Sequence, residues 1–459
     1  MVMAFSVSNQ RVVVVGAGRS GQAAAELLTT RGACVTLTDS QPTRPEGAAR
    51  LEAIGVAIET GPHRDALFST ADLIVLSPGV PPFQPALAAA RDRGVPVIGE
   101  VELASRWIEG RIVAITGTKG KSTTTTLTAR MLQEGGLTAT AGGNLGVALS
   151  SQVDGNREAV HVVEVSSFQL ETTDRFHPWI AVLVNLSADH LDRHATFEEY
   201  AAAKARIFRN QTSDDWAVVN ADDPMAVDLA RDAVARRFDF GFTGVRADGI
   251  TVDGTHIVER RQGQARPLVP LTAVHLPGRH LLADVLAATA VSALAGVSPE
   301  AMTRAVDRFG GLEHALEQVT EVAGVRFVND SKATNVVSAL RAIESFDRGV
   351  VPILGGRYKG GDFGDLRDAL RARASGVVAL GEAAARIADA VAGTVPVERA
   401  ESMEAAVRQA YAMASPDGVV LLAPGCSSFD MFTDYAARGR AFKDAARQLA
   451  SEVAATRTR

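Results

Sequence analysis

Short apolar runs alternate with longer helical stretches along most of the chain, and this alternation predicts parallel sheets flanked by helices. In the first hundred residues the pattern predicts a helix over 21–30 and strands at 12–15, 34–38 and 73–76. A second series predicts strands that begin at 112 and lie at 161–165, 180–184 and 216–220. A third predicts strands at 326–328, 350–354, 376–380 and 419–422. The chain is therefore expected to be an α/β protein.

Residues 238–274 break this pattern, because their short segments are punctuated by glycine and alternate apolar with polar positions, which predicts an antiparallel meander. A helix is then predicted over 281–295. The length of 459 residues fits three domains of about 150 residues each. We expect a Rossmann-like α/β domain over 1–98, a central α/β domain with the small antiparallel extension over 99–311, and a Rossmann-like α/β domain over 312–459.

Composition excludes several classes of protein. The chain has 46% apolar and 22% charged residues, with 47 Lys and Arg against 53 Asp and Glu and no dense basic run, which argues against electrostatic binding to nucleic acid. There is no signal-peptide pattern and no apolar run of membrane-spanning length, so no membrane insertion is expected. Two cysteines, Cys34 and Cys426, are too few for a disulfide framework. We expect a cytoplasmic protein with reduced thiols that is a monomer.

Residues 111–123 carry the strongest chemical signal, because an apolar strand enters a glycine-rich turn and then a helix. Gly117 and Gly120 would let the backbone approach phosphate oxygens, Lys121 would add a positive charge, and Ser122 or Thr123 could bind Mg²⁺. Ile115 stands where the common phosphate loop has its first glycine, so this is a variant. The pattern predicts ATP as ligand, and the alternative is a glycine-rich turn with an exposed lysine.

A second glycine-rich turn follows the first predicted strand. Gly16, Gly18 and Gly21 open a helix, and Asp39 ends the next strand 18 residues after Gly21. This arrangement suits a tight turn against a diphosphate, with a carboxylate for ribose hydroxyls. NAD and a UDP-sugar both contain these groups, so the pattern leaves the base open, and a turn needed only for helix packing is the structural alternative.

Polar residues follow two further predicted strands, with Glu164, Ser166 and Ser167 after one and Asp189 and His190 after the next. The carboxyl ends of parallel strands meet at one edge of a sheet, so these groups are expected beside the phosphate loop. Oxygen ligands with one imidazole can hold Mg²⁺, whereas the spacing does not suit zinc. For each residue alone, a capping or surface role is an equal alternative.

The predicted helix 197–208 places Tyr200, Lys204 and Phe208 on one face. A lysine in an apolar stripe can extend its ammonium group to solvent. An uncharged lysine can instead capture CO₂ and become a carbamate, which is a carboxylate-like metal ligand. The residues themselves leave both possibilities open.

Taken together, these motifs resemble those of the Mur ligase family, and the resemblance covers essentially the whole chain. The matching segments are GTKGKST (117–123), GGN (142–144), EVSSFQL (164–170), DHLDR (189–193), YxxxKxR (200–206), LPGRH (276–280), NDSKATN (329–335), GGxxKG (355–360) and LAPGCSSFD (422–430). An ordered set of nine such motifs is not expected by chance.

The resemblance implies an ATP-dependent, ADP-forming ligase of peptidoglycan precursor synthesis that joins glutamate, with D-glutamate as the expected enantiomer, to UDP-N-acetylmuramoyl-L-alanine through an acyl phosphate. The alternatives are a sister ligase that adds another amino acid or L-glutamate, a folylpolyglutamate synthetase, an NAD-dependent oxidoreductase, and a non-catalytic nucleotide-sensing module. The complete first domain argues against the folate enzyme, and the phosphate loop argues against the oxidoreductase.

The resemblance also implies a role for individual residues. It assigns catalysis to Asn144, Lys121, Glu164, His190 and Lys204. It assigns ATP binding to Gly117, Thr118, Lys119, Gly120, Lys121, Ser122, Thr123, Asp284 and Asp330. It assigns two Mg²⁺ ions to Ser122, Thr123, Glu164, His190 and Lys204, the last as a carbamate. It assigns the UDP-substrate to Gly16, Ala17, Gly18, Arg19, Ser20, Gly21, Asp39, Ser40, Ser77, Pro78, Gly79, Asn144 and His190. It assigns glutamate to Lys332, Thr334, Lys359, Ser428 and Tyr435.

Three positions depart from the pattern of the family. Leu281 and Asp284 stand where the family usually has two asparagines, the second of which reads adenine. A carboxylate accepts a hydrogen bond from the adenine amino group but cannot donate one to a ring nitrogen, which puts purine selectivity in question. Ala315 replaces a common arginine near the phosphates, for which Arg279 or Arg357 could substitute.

Overall fold

The computed structural model describes residues 5–153, 156–187, 189, 193–245 and 248–457. The chain divides into two compact units, one of residues 1–274 with 283–306 and the other of residues 275–282 with 307–459. Both units are α/β and contain mainly parallel sheets. None of the described helices combines enough length with enough apolar character to cross a bilayer.

The first unit begins with a five-stranded parallel sheet in the order β3-β2-β1-β4-β5. Its elements are β1 (Arg11–Val15), α1 (Arg19–Thr30), β2 (Cys34–Asp39), α2 (Ala48–Ala53), β3 (Ala57–Thr60), α3 (Asp65–Ser69), β4 (Leu73–Leu76), α4 (Pro85–Asp92), β5 (Val97–Gly99) and α5 (Glu100–Ser105). The predictions of β1, β2, β4 and α1 are confirmed. β3 and β5 were not predicted, because β3 is a partly exposed strand of mixed polarity and β5 is only 3 residues long.

A nine-stranded sheet follows in the same unit, in the order β14-β13-β12-β11-β10-β9-β6-β8-β7. Its elements are β6 (Arg111–Thr116), α6 (Lys121–Glu134), β7 (Ala139–Gly143), β8 (Val160–Glu164), α7 (Ser167–Glu171), β9 (Ile180–Leu183), α8 (Phe197–Ala205), β10 (Trp216–Asn220), α9 (Pro224–Leu229), β11 (Arg236–Phe240), β12 (Gly249–Asp253), β13 (His256–Arg261) and β14 (Gln264–Pro270). The helices α10 (Arg279–Leu294) and α11 (Pro299–Asp307) come next in the chain. The central strand β6 pairs in parallel with β8 and β9, which brings the ends of all three to one edge.

The antiparallel part of this sheet is smaller than predicted. β11 pairs in parallel with β10 along its whole length and also in parallel with β12, so only the β12–β13 and β13–β14 pairs are antiparallel. The buried rings of Phe238 and Phe240 explain the difference, because they make β11 a core strand. The prediction that the meander begins near residue 238 was therefore wrong, and it begins at β12.

The second unit contains a six-stranded sheet in the order β15-β16-β20-β17-β18-β19. Its elements are β15 (Glu317–Val322), β16 (Val325–Asn329), α12 (Val336–Glu344), β17 (Val350–Gly355), α13 (Arg367–Arg373), β18 (Val377–Leu380), α14 (Ala384–Ala390), β19 (Val397–Ala400), α15 (Met403–Ala414), β20 (Val419–Leu422) and α16 (Tyr435–Arg457). Only β15 is antiparallel to its neighbour in this sheet. β16, β20 and β17 are adjacent, so the loops that follow them lie at one edge of the sheet. The strands predicted at β16, β17, β18 and β20 are confirmed.

Glu102 joins the two sheets of the first unit. Its side chain is fully buried on α5, the helix between β5 and β6. One carboxylate oxygen accepts hydrogen bonds from the backbone N–H groups of Asp174 (2.8 Å), Arg175 (3.0 Å) and Phe176 (2.9 Å). The other accepts from Arg106 at 2.8 Å. The burial of this charge is thus compensated by four donors.

We expect Glu102→Gln to lower the free energy of unfolding of the first unit by about 3 kcal/mol. An amide has only one oxygen, so its NH2 group must face either the three backbone donors or Arg106, and Arg106 keeps only the more distant carboxylate of Asp174 at 3.8 Å. All three tryptophans, Trp107, Trp179 and Trp216, belong to this unit, so urea unfolding followed by tryptophan fluorescence measures its stability.

The matched control is Asp228→Asn, which removes an exposed ion pair with Arg231 in the same unit. Exposed pairs contribute little, so the control should stay within about 0.5 kcal/mol of the wild type. Equal stability of Glu102→Gln and this control would contradict the role assigned to Glu102.

Candidate active site

The turn after β6 is held in shape by Asn185, which follows β9. The Asn185 side-chain oxygen accepts from the backbone N–H groups of Thr118 at 3.1 Å and Lys119 at 2.9 Å. Its amide group donates to the Lys119 carbonyl oxygen at 3.0 Å. Gly120 has a φ of +80° directly before α6, a conformation that favours glycine. The turn thus leads into the amino terminus of α6, whose free N–H groups suit an anion.

Two lysines converge on this turn at the Gly117 carbonyl oxygen. Lys121 donates to it at 3.0 Å and to the Thr118 carbonyl oxygen at 2.9 Å, so its ammonium group folds over the turn. Lys204 donates to the same Gly117 oxygen at 2.8 Å and lies 4.7 Å from the centre of the Tyr200 ring. Lys204 is only 2% exposed. Burial, and after it the charge of Lys121, lowers the pKa of Lys204 to about 7.

Glu164 connects the phosphate loop with the loop that follows β7. Its buried carboxylate ends β8 and accepts hydrogen bonds from the Ser122 hydroxyl and from the Asn144 side-chain amide, each at 2.6 Å. The serine and glutamate oxygens are of the kind that Mg²⁺ prefers. Thr123 is 9% exposed, so Ser122 is the more accessible of the two predicted hydroxyl ligands.

His190, predicted to bind metal and the UDP-substrate, lies outside the described residues. Asp189 is described and contributes to the electrostatic field at Lys204 and Tyr200. Within the described ranges, no group of three or more His, Cys, Asp or Glu side chains is placed to hold a metal ion.

Asp284, predicted to bind ATP, lies directly against the phosphate loop. Its side chain is 3% exposed on α10, and its carboxyl group packs on the backbone of Gly120. Burial raises the pKa of Asp284 well above its usual range, against the opposing effects of the Thr124 hydroxyl and the Lys121 charge. The side chain therefore faces the loop, whereas the resemblance assigned this position to the adenine of ATP.

A cavity of about 530 Å³ lies at the carboxyl edge of the first sheet and reaches Asn144 of the second. Ten residues predicted to bind the UDP-substrate line it, namely Gly16, Gly18, Arg19, Ser20, Asp39, Ser40, Ser77, Pro78, Gly79 and Asn144. The cavity and the phosphate loop are thus linked through the hydrogen bond between Asn144 and Glu164.

Two other predicted residues, Ala17 and Gly21, are not among the described residues that line the cavity. The Ala17 N–H donates to Asp39 at 2.7 Å. A side chain on Gly21 would meet the Gly16 carbonyl oxygen at 1.8 Å. In this structure both residues shape the turn, and Gly21 is needed for the close approach of α1 to it.

Other residues that line the cavity were missed by the sequence analysis, among them Gln41, His63, Gln84 and Gln169. His63 Nδ1 is 2.9 Å from the Thr38 hydroxyl oxygen. Gln169 lies in the EVSSFQL segment (164–170) but was given no role, and the other three belong to no recognisable motif. Their position in the sequence could have indicated two of them. Gln41 and His63 follow the strands β2 and β3, and ligands of such sheets bind at the carboxyl ends of the strands.

In the second unit, the residues predicted to bind ATP ribose and glutamate follow three adjacent strands at one edge of the sheet, all of them in loops except Tyr435, which begins α16. Asp330, Lys332 and Thr334 follow β16, Lys359 follows β17, and Ser428 and Tyr435 follow β20. The Lys359 ammonium group lies 5.7 Å from the centre of the Phe429 ring. Burial raises the pKa of Asp330 to about 7, although the Leu316 N–H donates to it at 3.2 Å.

Arg438 connects these loops through hydrogen bonds. The sequence alone did not predict this role. It is 2% exposed and donates to the Ser331 hydroxyl at 3.0 Å, the Ser331 carbonyl at 2.9 Å and the Cys426 carbonyl at 3.1 Å. Burial lowers the pKa of Arg438 to about 10. An arginine three residues into α16 carries no signal of its own, because its acceptors lie in distant segments.

Comparison with protein families assigns a domain to each part of the chain. Residues 10–99 match the model of the Mur ligase MurD-like N-terminal domain, residues 115–292 match that of the Mur ligase middle domain, and residues 316–426 match that of the Mur ligase glutamate ligase domain. The chain is thus an α/β protein with three Mur ligase domains.

Two curated relatives are similar over nearly the full length. The UDP-N-acetylmuramoylalanine--D-glutamate ligase of Koribacter versatilis is 45% identical over 452 residues, which are 98% of this chain and 99% of that protein. The enzyme of the same name from Acidobacterium capsulatum is 46% identical over 445 residues, 96% of each chain.

Among solved structures, the UDP-N-acetylmuramate-alanine ligase MurC of Thermotoga maritima aligns with a TM-score of 0.60 at 20% identity, covering 96% of this chain and 100% of that one. At that level of identity the likeness concerns the fold alone. The full-length identity to the two curated relatives is what decides the family, and the chain belongs to the Mur ligases.

Proposed function

We propose that the chain is an ATP-dependent, ADP-forming ligase that joins D-glutamate to UDP-N-acetylmuramoyl-L-alanine in peptidoglycan precursor synthesis. The observation that carries the proposal is the hydrogen-bonded link from Ser122 through Glu164 to Asn144, because it joins a phosphate loop to the cavity suited to the acceptor acid. The names of the relatives supply the identity of that acid and of the amine.

In this proposal, a Rossmann-like domain over 1–98 binds the UDP-substrate, a P-loop-type domain over 99–311 binds MgATP, and a Rossmann-like domain over 312–459 binds glutamate. The matched family models, over 10–99, 115–292 and 316–426, support this division. The reaction uses a nucleotide-activated precursor and ATP, which supports a cytoplasmic location, and the enzyme works as a monomer.

The cavity at the first sheet receives the nucleotide end of the substrate. The turn from Gly16 to Gly21 approaches the diphosphate, and Ser77 supports that turn by donating to the Gly16 carbonyl oxygen at 2.8 Å. Asp39 accepts from two backbone N–H groups and presents its remaining lone pairs towards the ribose. The substrate then extends past Asn144, so that its alanine carboxylate reaches the phosphate loop.

The chemistry begins at that carboxylate, which is a poor electrophile because of its charge. Its oxygen attacks the γ-phosphorus of ATP and ADP leaves, which gives an acyl phosphate. The amine of glutamate attacks the acyl carbon, inorganic phosphate leaves and the amine loses a proton. Lys121 and the N–H groups of α6 stabilise the charge on the phosphoryl oxygens in both steps.

The residues present suit Mg²⁺, because hydroxyl and carboxylate oxygens meet at Ser122 and Glu164. In the proposal, Ser122, Thr123 and Glu164 hold one ion, and His190 and the carbamate of Lys204 hold a second. When bound, Mg²⁺ neutralises phosphate charge. A pKa near 7 leaves part of Lys204 uncharged at neutral pH, and the free amine can add CO₂ with release of a proton to give the carbamate.

Glutamate binds at the loops of the second unit. Lys332 and Thr334 hold one end of the amino acid, while Lys359, Ser428 and Tyr435 hold its carboxylates. Arg438 supports these contacts indirectly, because it fixes the loops after β16 and β20 to each other. Arg357 was suggested as a substitute for the arginine that the family has at position 315. Its guanidinium group lies 3.4 Å from the Glu382 carboxylate, and this ion pair weakens its attraction for a phosphate.

The proposal predicts that the purified chain releases phosphate from ATP only when UDP-N-acetylmuramoyl-L-alanine and D-glutamate are both present. Lys121→Ala should reduce this release by at least about 100-fold, since it removes a charge that stabilises the transferred phosphoryl group. Binding of the UDP-substrate should persist, because its cavity does not include Lys121.

Arg130→Ala is the control for this test, since it removes an exposed positive charge from the same helix. It should retain wild-type turnover. Preference for L-glutamate or another amino acid would identify a sister ligase, and an absorbance change with NAD but no phosphate release would support the oxidoreductase instead.

We expect Lys204→Ala to lose at least about 100-fold in turnover, and formate or acetate at high concentration to restore part of it by supplying the missing carboxylate. The measurement is phosphate release with and without the added acid. Lys204→Arg keeps a positive charge but cannot form a carbamate, so it should be inactive and not rescued. Unchanged turnover of Lys204→Ala would rule out the carbamate.

A further inference from the structure

Asp284 is a buried acid in contact with the phosphate loop. On α10 it is followed by a continuous buried run from Val285 to Ser292, which is mainly apolar. A Cβ atom added to Gly120 would lie 2.1 Å from Asp284 Oδ1 and 2.8 Å from its Cγ. The carboxyl group therefore occupies the space beside the glycine at which the turn becomes helix α6.

The surroundings of Asp284 do little to stabilise a negative charge. Two groups of α6 favour the ionised form, the Thr124 hydroxyl and the Lys121 ammonium group, and Lys121 is the charged one. In the described part of the chain, no backbone N–H donates to Asp284 and no ion pair within 4 Å includes it. Burial outweighs both groups and raises the pKa of Asp284 well above its usual range.

Asp222, which is exposed, shows how backbone donors favour the charged form of an aspartate. It accepts hydrogen bonds from the backbone N–H groups of Phe242 (2.6 Å), Thr243 (3.0 Å) and Gly244 (2.8 Å), which outweigh the effect of burial and lower its pKa. Asp284 has no comparable set of donors. The contrast indicates that Asp284 is accommodated as an uncharged acid.

An uncharged acid also suits the ligand proposed for this loop. A carboxylate beside Gly120 would repel a polyphosphate bound at the start of α6 and would compete for the charge of Lys121. The neutral form removes both penalties and supplies an O–H donor to the polar groups of the loop.

We propose that Asp284 is a positioning residue of the phosphate loop that works as a neutral acid, supporting Gly120 and leaving the charge of Lys121 to the polyphosphate. The inference rests on the proposed use of MgATP. It assigns Asp284 a role that acts through the loop.

A proton linkage follows from this arrangement. The negative charge of a bound polyphosphate disfavours ionisation of Asp284, so the bound state keeps its proton to higher pH than the free state. Below the pKa of the free state, binding is independent of this group. Above it, binding takes up a proton and weakens with rising pH, by up to about tenfold per pH unit.

The test is calorimetric titration of the full chain with MgATP across about pH 6 to 9, repeated in two buffers of different ionisation enthalpy to count protons. The wild type is compared with Asp284→Asn, which has the same shape but no proton to lose. The expected result is that the ratio of the wild-type Kd to the variant Kd rises with pH, and that the wild type takes up more protons.

Glu100→Gln is the matched control, because Glu100 is another fully buried acid whose pKa is raised by burial, but it contacts Ser150 and not the phosphate loop. It should show the wild-type pH profile. Should Asp284→Asn fold poorly, Asp284→Ala takes its place, since it also has no proton to lose at this position and leaves Lys204, whose pKa is about 7, unchanged in both proteins compared.

A wild type that binds MgATP more weakly than Asp284→Asn by the same factor at every pH, as a carboxylate charged throughout the range would, overturns the inference while leaving MgATP binding intact. A ratio near 1 at every pH supports it, because the acid then stays neutral in both states. Absence of MgATP binding to the folded wild type would overturn the proposed function and this inference with it. The two failures are therefore distinguishable in one experiment.

Discussion

The site depends on one buried carboxylate, Glu164, and on its two hydrogen bonds to Ser122 and Asn144. These partners lie on different elements, one at the start of α6 and one after β7, and only the parallel arrangement of β6, β8 and β7 brings them together. The carboxylate therefore sets the distance between the phosphate loop and the substrate cavity. Any transfer of a phosphoryl group to a bound acid depends on that distance.

Other buried ionisable side chains fall into two groups, which differ in the number of hydrogen-bonding partners around them. Glu102 and Arg438 each meet several hydrogen-bonding groups from separate segments, so they act as structural links. Lys204 and Asp284 lack such sets, and burial shifts the pKa of each towards the uncharged form. Glu102 and Arg438 hold separate segments together. Lys204 and Asp284 lie at the phosphate loop, where a shifted pKa can serve the chemistry of a site.

How much the sequence could predict depended on whether a signal was local. The phosphate loop, the turn from Gly16 to Gly21 and most core strands are continuous patterns, and the structure contains them where they were expected. Asn185 and Arg438 could not be assigned roles, because each acts on segments far away in sequence. β15 was missed for a related reason, since its mixed polar sequence becomes a strand only by pairing with β16.

Asp284 shows a further limit of prediction from sequence, because an aspartate by itself suggests a charged hydrogen-bond acceptor. Protonation depends on burial and on neighbouring donors, and neither is visible in a chain taken one residue at a time. Once Asp284 is uncharged and Lys204 is partly so, the fixed positive charges at the turn are those of Lys119 and Lys121. The attraction of the loop for a polyphosphate then depends on these two lysines and the N–H groups of α6, without an opposing carboxylate beside Gly120.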